Sequence, residues 1–581
     1  MALLFYAFFL FALPFHGSLF IIERVQRVIS AGEMREIDRL TAEHFAMPTL
    51  LLMEAAAAAA LQAIVAAAGG QLEGKRVRIL CGRGNNGGDG AALARACWLA
   101  GARADVVLFG RVEETKGDAR LNFEIARRLS SFEAGSRTQP PPLTFFECET
   151  LSEWEEVAGT RDSHDIIVDA LFGTGLTRPL SGIHLQVVEH LALMREARER
   201  SQTHEPLIVS LDLPSGLNAD SAALIGETVR ADLTVSFTAP KPANVLPPAS
   251  HCNGQLVVAN IGSPSALVEA SHAQLFVIEE SDARQFLNRT RYTPDSYKNT
   301  HGHVLVIAGS RGLSGAAVLC GNAAMLAGAG LVTIATSLSA QASVAAQALP
   351  EIMTATLPET ERGAISAEAI EPALELMKRA SIVAIGPGLT STDESTRQFV
   401  RTLVERRTTA LVIDADGLNS LAPWPEDLRG SLEQPLILTP HPGEMARLLG
   451  ADDKEKLIDR VAAARELATR NALILVLKGT RTLVAAPDGN VYINPTGNAG
   501  LGTAGAGDTL TGIITGFLAQ SAGTLGAESD ALAATIAAVY TGGHAGDMAA
   551  RTLGMRAMIA SDITKNLGAA ISALNPQGEA L

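Results

Sequence analysis

From Val28 onward, short β-rich apolar runs alternate with segments of helical periodicity, the pattern of a parallel sheet covered by helices. In the first half these runs predict strands at 77–80, 105–108, 165–169, 207–211 and 233–237. A second series predicts strands at 303–307, 331–335, 382–385, 411–413, 436–439 and 473–477. The strand pattern lapses between Gly262 and His303, which places a domain boundary near 284–294. Polar stretches at 130–142 and 198–206 predict surface loops, and the alanine run 55–60 predicts a helix packed closely on a neighbour.

With 581 residues the chain exceeds what one hydrophobic core serves, so two α/β domains are expected, at 28–283 and 284–581. The net charge of −15 excludes a general binder of nucleic acid or anionic membrane, so any anionic ligand must be held by loops and helix ends. The five cysteines are scattered without a C-x-x-C pair, which reads as reduced thiols in a cytoplasmic protein. Residues 1–27 form an apolar extension, interrupted by Pro14 and His16 and lacking a basic start. It reads as a tail or a miscalled start rather than a signal peptide, and no later segment reads as a membrane span.

The chemistry gathers at strand ends. Strand 77–80 runs into GRGNNGGDG and then the helical ALARACWLA, an order that aims free backbone N–H groups at an anion. The loop is neither a Walker loop nor a G-x-G-x-x-G fingerprint. Two more polar strand ends follow: VDALFGTGLTRPLSG with Asp169, and SLDLPSGLNAD with Asp212 and Ser215. Ligands of open parallel sheets sit at the carboxyl ends of strands, so these three segments should converge on one crevice.

In the second half, GTAGAGDTLTG brings a glycine run to Asp508 at a helix start. Amides and the positive helix end can stabilise a phosphoryl group in transfer, while a carboxylate beside them takes a proton from the attacking hydroxyl. Asp508 could instead only cap its helix. IGPGL, DADGLN, TPHPGEMARLLG and LKGTRTLVA also lie at strand ends. Within them His441 could be a turn histidine and Glu444 an ordinary first-turn acid.

NNGGDG, DALFGTGL-x-RPLSG and DLPSGLNAD, followed by KP and CNGQLVVANIG, resemble the NAD(P)H-hydrate epimerase (YjeF N-terminal) family, with a Rossmann-like three-layer sandwich. The resemblance implies a pocket for hydrated NADH or NADPH built from Asn85, Asn86, Gly87, Gly88, Asp89, Gly173, Thr174, Gly175, Leu176, Thr177, Arg178, Pro179 and Asp212. It also implies a potassium ion held by Asn86, Asp169 and Ser215, oxygen ligands suited to a hard cation. Epimerisation needs a group that gives and takes protons, for which Asp212 is the candidate; a helix N-cap is its alternative. The early helix reads LLMEAAAAAA where the family carries Asn-Ala-Gly after the Glu, a departure that touches packing or a homo-oligomer contact.

HGHVLVIAGS, LAGAGLVTIAT, PHPGE and GNAG resemble the NAD(P)H-hydrate dehydratase (YjeF C-terminal) family of the ribokinase-like superfamily. The resemblance implies that Gly388, His441, Pro442, Gly443, Glu444, Met445, Ala446, Arg447 and Asp508 face the hydrated nucleotide. It implies that Lys478, Gly479, Thr480, Arg481 and Thr482, with Asn498, Ala499, Gly500, Leu501, Gly502, Thr503, Ala504, Gly505, Ala506 and Gly507, hold an adenine nucleotide. ADP with magnesium is the expected donor, and Asp508 the base that activates the substrate hydroxyl. The family's glycine-methionine-glycine-aspartate is Gly505-Ala506-Gly507-Asp508 here, nearer to ordinary kinases. A small-molecule kinase fused to a nucleotide-binding module is therefore the alternative to a fused repair enzyme.

Overall fold

The structure, a computed structural model, describes residues 26–131, 143–159, 164–201, 206–450 and 457–575. After a two-residue strand β1 (Gln26–Arg27), the chain builds a first sheet from β2 (Arg76–Cys81), β3 (Arg103–Leu108), β4 (Leu143–Glu147), β5 (Ile166–Ala170), β6 (Leu207–Leu211), β7 (Leu233–Phe237) and β8 (Gln255–Ala259). Every pairing is parallel and the order is β4-β3-β2-β5-β6-β7-β8. Helices cover both faces, so β5 and β7 are buried at every position; β5 opens on the apolar run Ile166–Val168, while β7 alternates, with the hydroxyls of Thr234 and Ser236 hydrogen-bonded inside the core. The strand order reverses between β2 and β5, and there the Asn85–Leu99 helix begins beside the loop after β5. The alanine-rich helix Thr49–Ala67 packs on Asn85–Leu99 through small side chains, and Ala56, Ala57 and Ala60 are buried in the core.

The second sheet contains β9 (Leu275–Val277), β10 (His303–Ile307), β11 (Leu331–Ser337), β12 (Met353–Leu357), β13 (Ile382–Ile385), β14 (Ala410–Ile413), β15 (Leu436–Leu438), β16 (Ile474–Leu477), β17 (Leu483–Ala485) and β18 (Val491–Ile493). Its order is β1-β9-β18-β17-β16-β15-β14-β13-β10-β11-β12. The block from β16 to β12 is parallel, while β17 and β18 extend it as antiparallel strands. The helix Ala506–Gln520 packs on Ser314–Leu326 and over the middle of this sheet.

Several expectations change. The strand pattern does not lapse until His303: β9 pairs in parallel with β18, so the second sheet begins upstream of residue 284. β1, at the end of the expected extension, pairs antiparallel with β9 and thus belongs to that sheet as well. Three-residue strands such as β9 carry too little periodicity to be distinguished from loop. Residues 198–201 are helical, the end of Ile183–Ser201, where Arg198 bonds Asp232 through both guanidinium nitrogens at 2.6 and 2.7 Å. That pairing turns what reads as a charged loop into a helix terminus. The rest of the expected 198–206 loop up to residue 205, nearly all of 130–142, and residues 1–25 lie outside the described residues. Thr49–Ala67 is long and apolar enough to cross a membrane, with a mean hydropathy of 1.9; one face of it is buried in the first domain's core.

Candidate active sites

A cavity of about 1190 Å³ opens at the switch point of the first sheet. Asn85, Asn86, Asp89, all seven residues of 173–179 and Asp212 line it. Gly87 and Gly88 do not line it. A Cβ on Gly87 would stand 1.8 Å from the Gly82 carbonyl oxygen, and one on Gly88 2.7 Å from Ala119 Cα. The missing side chain of Gly87 lets the helix start sit on the turn after β2, and that of Gly88 lets it meet the helix Gly117–Ser130.

Asp212 does not cap a helix. It takes a φ of 63° at the end of β6, a conformation strained for a residue with a Cβ. Its Oδ1 accepts from the Lys241 ammonium, from Ser236 Oγ at 3.4 Å and from Phe237 N at 3.3 Å. The other oxygen, Oδ2, faces Gly173 and Asn86: a Cβ on Gly173 would lie 3.4 Å from both Asp212 Oδ2 and Asn86 Cγ. Lys241, 1% exposed, also donates to Ser236 Oγ at 3.2 Å and to the Phe237 carbonyl at 2.9 Å. The KP dipeptide was its only sequence signal. Asp38, on the helix Ala31–Phe45, joins this wall without any motif to announce it. Burial, the Asp212 charge and the Asp38 charge push Asp89 well above the carboxylate range. Burial raises Asp38 to about 6, with Lys241 opposing and Asp212 adding to the shift.

Asp169, the penultimate residue of β5, is fully buried. Ser215 N donates to it at 2.8 Å, Ser215 Oγ at 2.6 Å, Ser210 Oγ at 2.9 Å and Leu171 N at 3.3 Å. Ser215 Oγ in turn accepts from Phe172 N at 3.0 Å, which ties the β5 and β6 loops together. Asn86 packs against the next residue, Gly173, and both polar atoms of its amide are buried without a partner. An orphaned amide oxygen near a buried carboxylate and a hydroxyl is a donor set that fits a hard monovalent cation.

In the second domain consecutive parallel strands deliver the polar residues. Asp414 follows β14, His441 and Glu444 follow β15, and Lys478 follows β16. Lys478 Nζ donates to Asp414 at 2.6 Å and lies 3.9 Å from Glu444. Thr511 Oγ1 donates to Asp414 at 2.7 Å. Burial works to raise Asp414, but Lys478 and these hydrogen bonds prevail and hold it below the usual carboxylate range. Asp508, in the first turn of Ala506–Gln520, is raised to about 7 by burial and by repulsion from Asp414, with Lys478 opposing and Asp416 and Glu444 adding to it. DADGLN alone does not reveal which of its two aspartates, Asp414 or Asp416, the lysine meets.

His441 caps the helix Pro442–Leu448, its Nδ1 accepting from Gly443 N at 2.9 Å and Glu444 N at 3.3 Å. Glu444 returns the bond by accepting from His441 N at 2.8 Å. The two residues thus form a reciprocal cap at the helix start, with His441 Nε2 on the exposed ring 3.5 Å from Glu444 Oε1. Pro442 and Gly443 are exposed, as is Arg447, which donates to Asn419 at 2.9 Å; Ala446 is half-buried. Met445 differs, since its side chain is wholly within the core. Gly388 follows β13 with its carbonyl accepting from Ser310 Oγ at 2.9 Å.

Lys478 itself points into the carboxylate cluster, while the rest of its loop turns back on the backbone. Arg460 donates to the Thr480 carbonyl at 2.9 Å, Arg481 to that of Pro495 at 2.9 Å, and Thr482 Oγ1 to that of Gly479 at 3.1 Å. Asn498 orders the turn Ala499–Gly502 by accepting from Gly500 N at 2.9 Å. Asp547 braces that turn from the helix Ala531–Leu553, accepting from Gly497 N and Asn498 Nδ2, each at 2.9 Å. The sequence offered no hint of this contact, fifty residues downstream. Gly505, at φ 84°, then admits the chain to the Asp508 helix.

Two α/β domains, one with a polar crevice at its switch point and one with a buried aspartate at a glycine-fronted helix start, define a two-site nucleotide-handling enzyme. Residues 49–243 match the family described as YjeF-related protein N-terminus, and residues 304–568 match NAD(P)H-hydrate dehydratase. A bifunctional NAD(P)H-hydrate repair enzyme Nnr of Moorella thermoacetica is 39% identical over 92% of this chain and 95% of its own. That of Escherichia coli is 33% identical over 84% of each chain. Among solved structures, an ADP/ATP-dependent NAD(P)H-hydrate dehydratase from Bacillus subtilis, co-crystallised with ATP and Mg2+, is 30% identical, with a TM-score of 0.44 over 52% of this chain and 98% of that one. The chain belongs to the family of bifunctional NAD(P)H-hydrate repair enzymes.

Proposed function

We propose that the first domain interconverts the two epimers of hydrated NADH and NADPH and that the second returns one of them to the dihydronicotinamide by phosphoryl transfer from an adenine nucleotide. The observation that carries this reading is Asp508: a carboxyl raised to about 7, at a helix start fronted by glycines, beside the Asp414–Lys478 pair. A base poised near neutrality takes the proton of the substrate hydroxyl as that oxygen attacks the terminal phosphoryl group. With ADP as donor, AMP leaves. The ring C–O bond then breaks with phosphate as leaving group, and loss of a proton from the adjacent carbon restores the dihydropyridine. Hydroxide alone is a poor leaving group, which explains a kinase fold in a dehydratase.

The backbone amides of 502–507 receive the transferring phosphoryl group, Asn498 and Asp547 order the preceding turn, and His441 and Glu444 border the substrate. Among the described residues no group of three or more His, Cys, Asp or Glu is placed to hold a metal. Magnesium would be held through the nucleotide, whose phosphate charge it would offset. In the first domain Asp212 carries the proton, and Asn86, Asp169 and Ser215 would hold potassium, which supplies fixed positive charge at the pocket.

The test follows absorbance of the dihydronicotinamide band from the single epimer the second domain accepts, with magnesium and ADP, ATP or neither. Recovery that requires a nucleotide and falls by about 10²-fold or more in Asp508→Asn supports the reading. Phosphorylation without any recovery of absorbance would instead mark the second domain as a small-molecule kinase.

A further inference from the structure

Asp38 lies in the wall of the first cavity, and the reaction assigned above has a role for a second carboxyl group there. Its helix is fixed relative to Lys241 by backbone contacts just ahead of it. Ile29 N donates to the Pro240 carbonyl at 2.9 Å, Ser30 caps the helix, and Ala31 N donates to Asp220 at 2.7 Å. Asp38 Oδ1 is buried without a hydrogen-bond partner, although its residue borders a polar cavity. A buried carboxyl oxygen left unpaired costs stability that a purely structural residue would recover by bonding a neighbour. The Asp212 oxygen Oδ1, by contrast, is fully engaged by Lys241, Ser236 and Phe237, which leaves a single oxygen for proton transfer.

A carbon that bears both the hydroxyl and the ring nitrogen inverts either by opening and reclosing the ring C–N bond or by loss of the hydroxyl from one face and addition of water to the other, and Asp38 and Asp212 in one cavity suit the second route. One group must deliver a proton to the departing oxygen while another removes one from the incoming water. A single carboxyl oxygen approaching from one wall serves only one face. We propose that Asp38 is a second proton-transfer residue of the epimerase pocket, acting on the ring hydroxyl from the helix side while Asp212 acts from the strand ends. The proposal rests on the epimerase reading of this domain.

The Asp38 carboxyl gives its proton to the ring hydroxyl, and the C–O bond breaks with its electron pair leaving on water. The ring-nitrogen lone pair forms the C=N bond of a planar cation. A water molecule adds its oxygen pair to the opposite face of that carbon and loses a proton to the Asp212 carboxylate. The inverted epimer leaves with Asp38 ionised and Asp212 protonated, a state that catalyses the reverse inversion or resets by proton exchange with solvent. The protonated state Asp38 needs is consistent with its raised titration, which burial and the Asp212 charge push up against Lys241; Asp89 on the neighbouring helix and Arg35 on its own helix are the other charged groups lining this part of the cavity.

The experiment measures epimer interconversion without nucleotide by chromatography, after subtraction of the spontaneous rate, for wild type, Asp38→Asn and Asp38→Glu in ordinary and ¹⁸O-labelled water. Dehydration of the accepted epimer by the same samples reports intact protein. The proposal expects a loss of about 10²- to 10⁴-fold in kcat for Asp38→Asn with little change in KM, partial rescue by Asp38→Glu, and solvent ¹⁸O in the inverted epimer. It also expects the wild-type rate to fall as pH rises past about 6 and that limb to be absent from Asp38→Asn. Unchanged kcat in Asp38→Asn, or inversion without ¹⁸O uptake, overturns it. A wild type that does not interconvert the epimers overturns the epimerase reading instead, so the two failures are distinct.

Discussion

Lys478 and Asp414 form a buried ion pair, 2.6 Å between Nζ and Oδ1, directly beneath the glycine that precedes Asp508. A Cβ on Gly507 would lie 3.3 Å from that same Nζ. The pair thus sets the charge felt by the proposed base, with Asp414 raising it and Lys478 lowering it. The net result is a carboxyl that ionises near neutrality.

Dehydration should therefore depend on pH through Asp508. The base works only when ionised, so kcat/KM should rise with pH through about 7 and then level off. In Asp508→Asn this limb should vanish together with most of the activity. A pH–rate profile with saturating nucleotide checks it.

Replacing Lys478 by Met should move the rising limb to higher pH, because the cation that opposes the upward shift of Asp508 is gone. Asp414 would also lose its partner while fully buried, at a cost of about 3–5 kcal/mol. The sign of the linkage follows from its lowered folded pKa: the stability Asp414 contributes is present above its unfolded pKa and lost as pH falls through the folded one. The variant should unfold at lower temperature at neutral pH, with the gap to wild type narrowing in acid.

Asp547→Asn should weaken the nucleotide site without touching epimerisation. The substitution leaves one carbonyl oxygen where two carboxylate oxygens now receive Gly497 N and Asn498 Nδ2. At about 0.5–1.5 kcal/mol for a hydrogen bond, the KM for nucleotide should rise about 2- to 12-fold. Steady-state kinetics at varied nucleotide concentration measures it.

Gly87→Ala should destabilise the first domain by more than an ordinary surface change. Its Cβ would be 1.8 Å from the Gly82 carbonyl, which must move and carry the Asn85–Asn86 turn with it. Overpacking of this kind costs about 1–3 kcal/mol, and calorimetry should find the loss in the first domain's transition.

The sequence carried the layer architecture well where central strands such as β10 and β13 to β16 are buried on both faces as short apolar runs, whereas the edge strand β12, buried only at Leu357, is missing from the predicted series. Short and edge strands were not legible: β9 and β18 are three residues each, and β4 has exposed positions at its end. Among the candidate site residues, local spacing marks the glycine-rich loops at strand ends, while the role of each residue on them comes only from the family resemblance. Asp38, Lys241, Asp414 and Asp547 could not be read in this way, because each gains its role from a partner brought near only by the fold: for Lys241 that partner is Asp212, for Asp414 it is Lys478, and for Asp547 it is the Gly497–Asn498 turn.

The central claim is that two sites in one chain divide the repair between them. Its most direct test follows absorbance recovery from a mixed-epimer NADPH hydrate, with nucleotide, magnesium and potassium, in wild type, Asp212→Ala and Asp508→Asn. The account predicts recovery of the whole mixture by wild type, a second half slowed to the spontaneous rate in Asp212→Ala, and essentially none in Asp508→Asn. Wild-type recovery that stops at the accepted epimer, or full and equally fast recovery in Asp212→Ala, would contradict it.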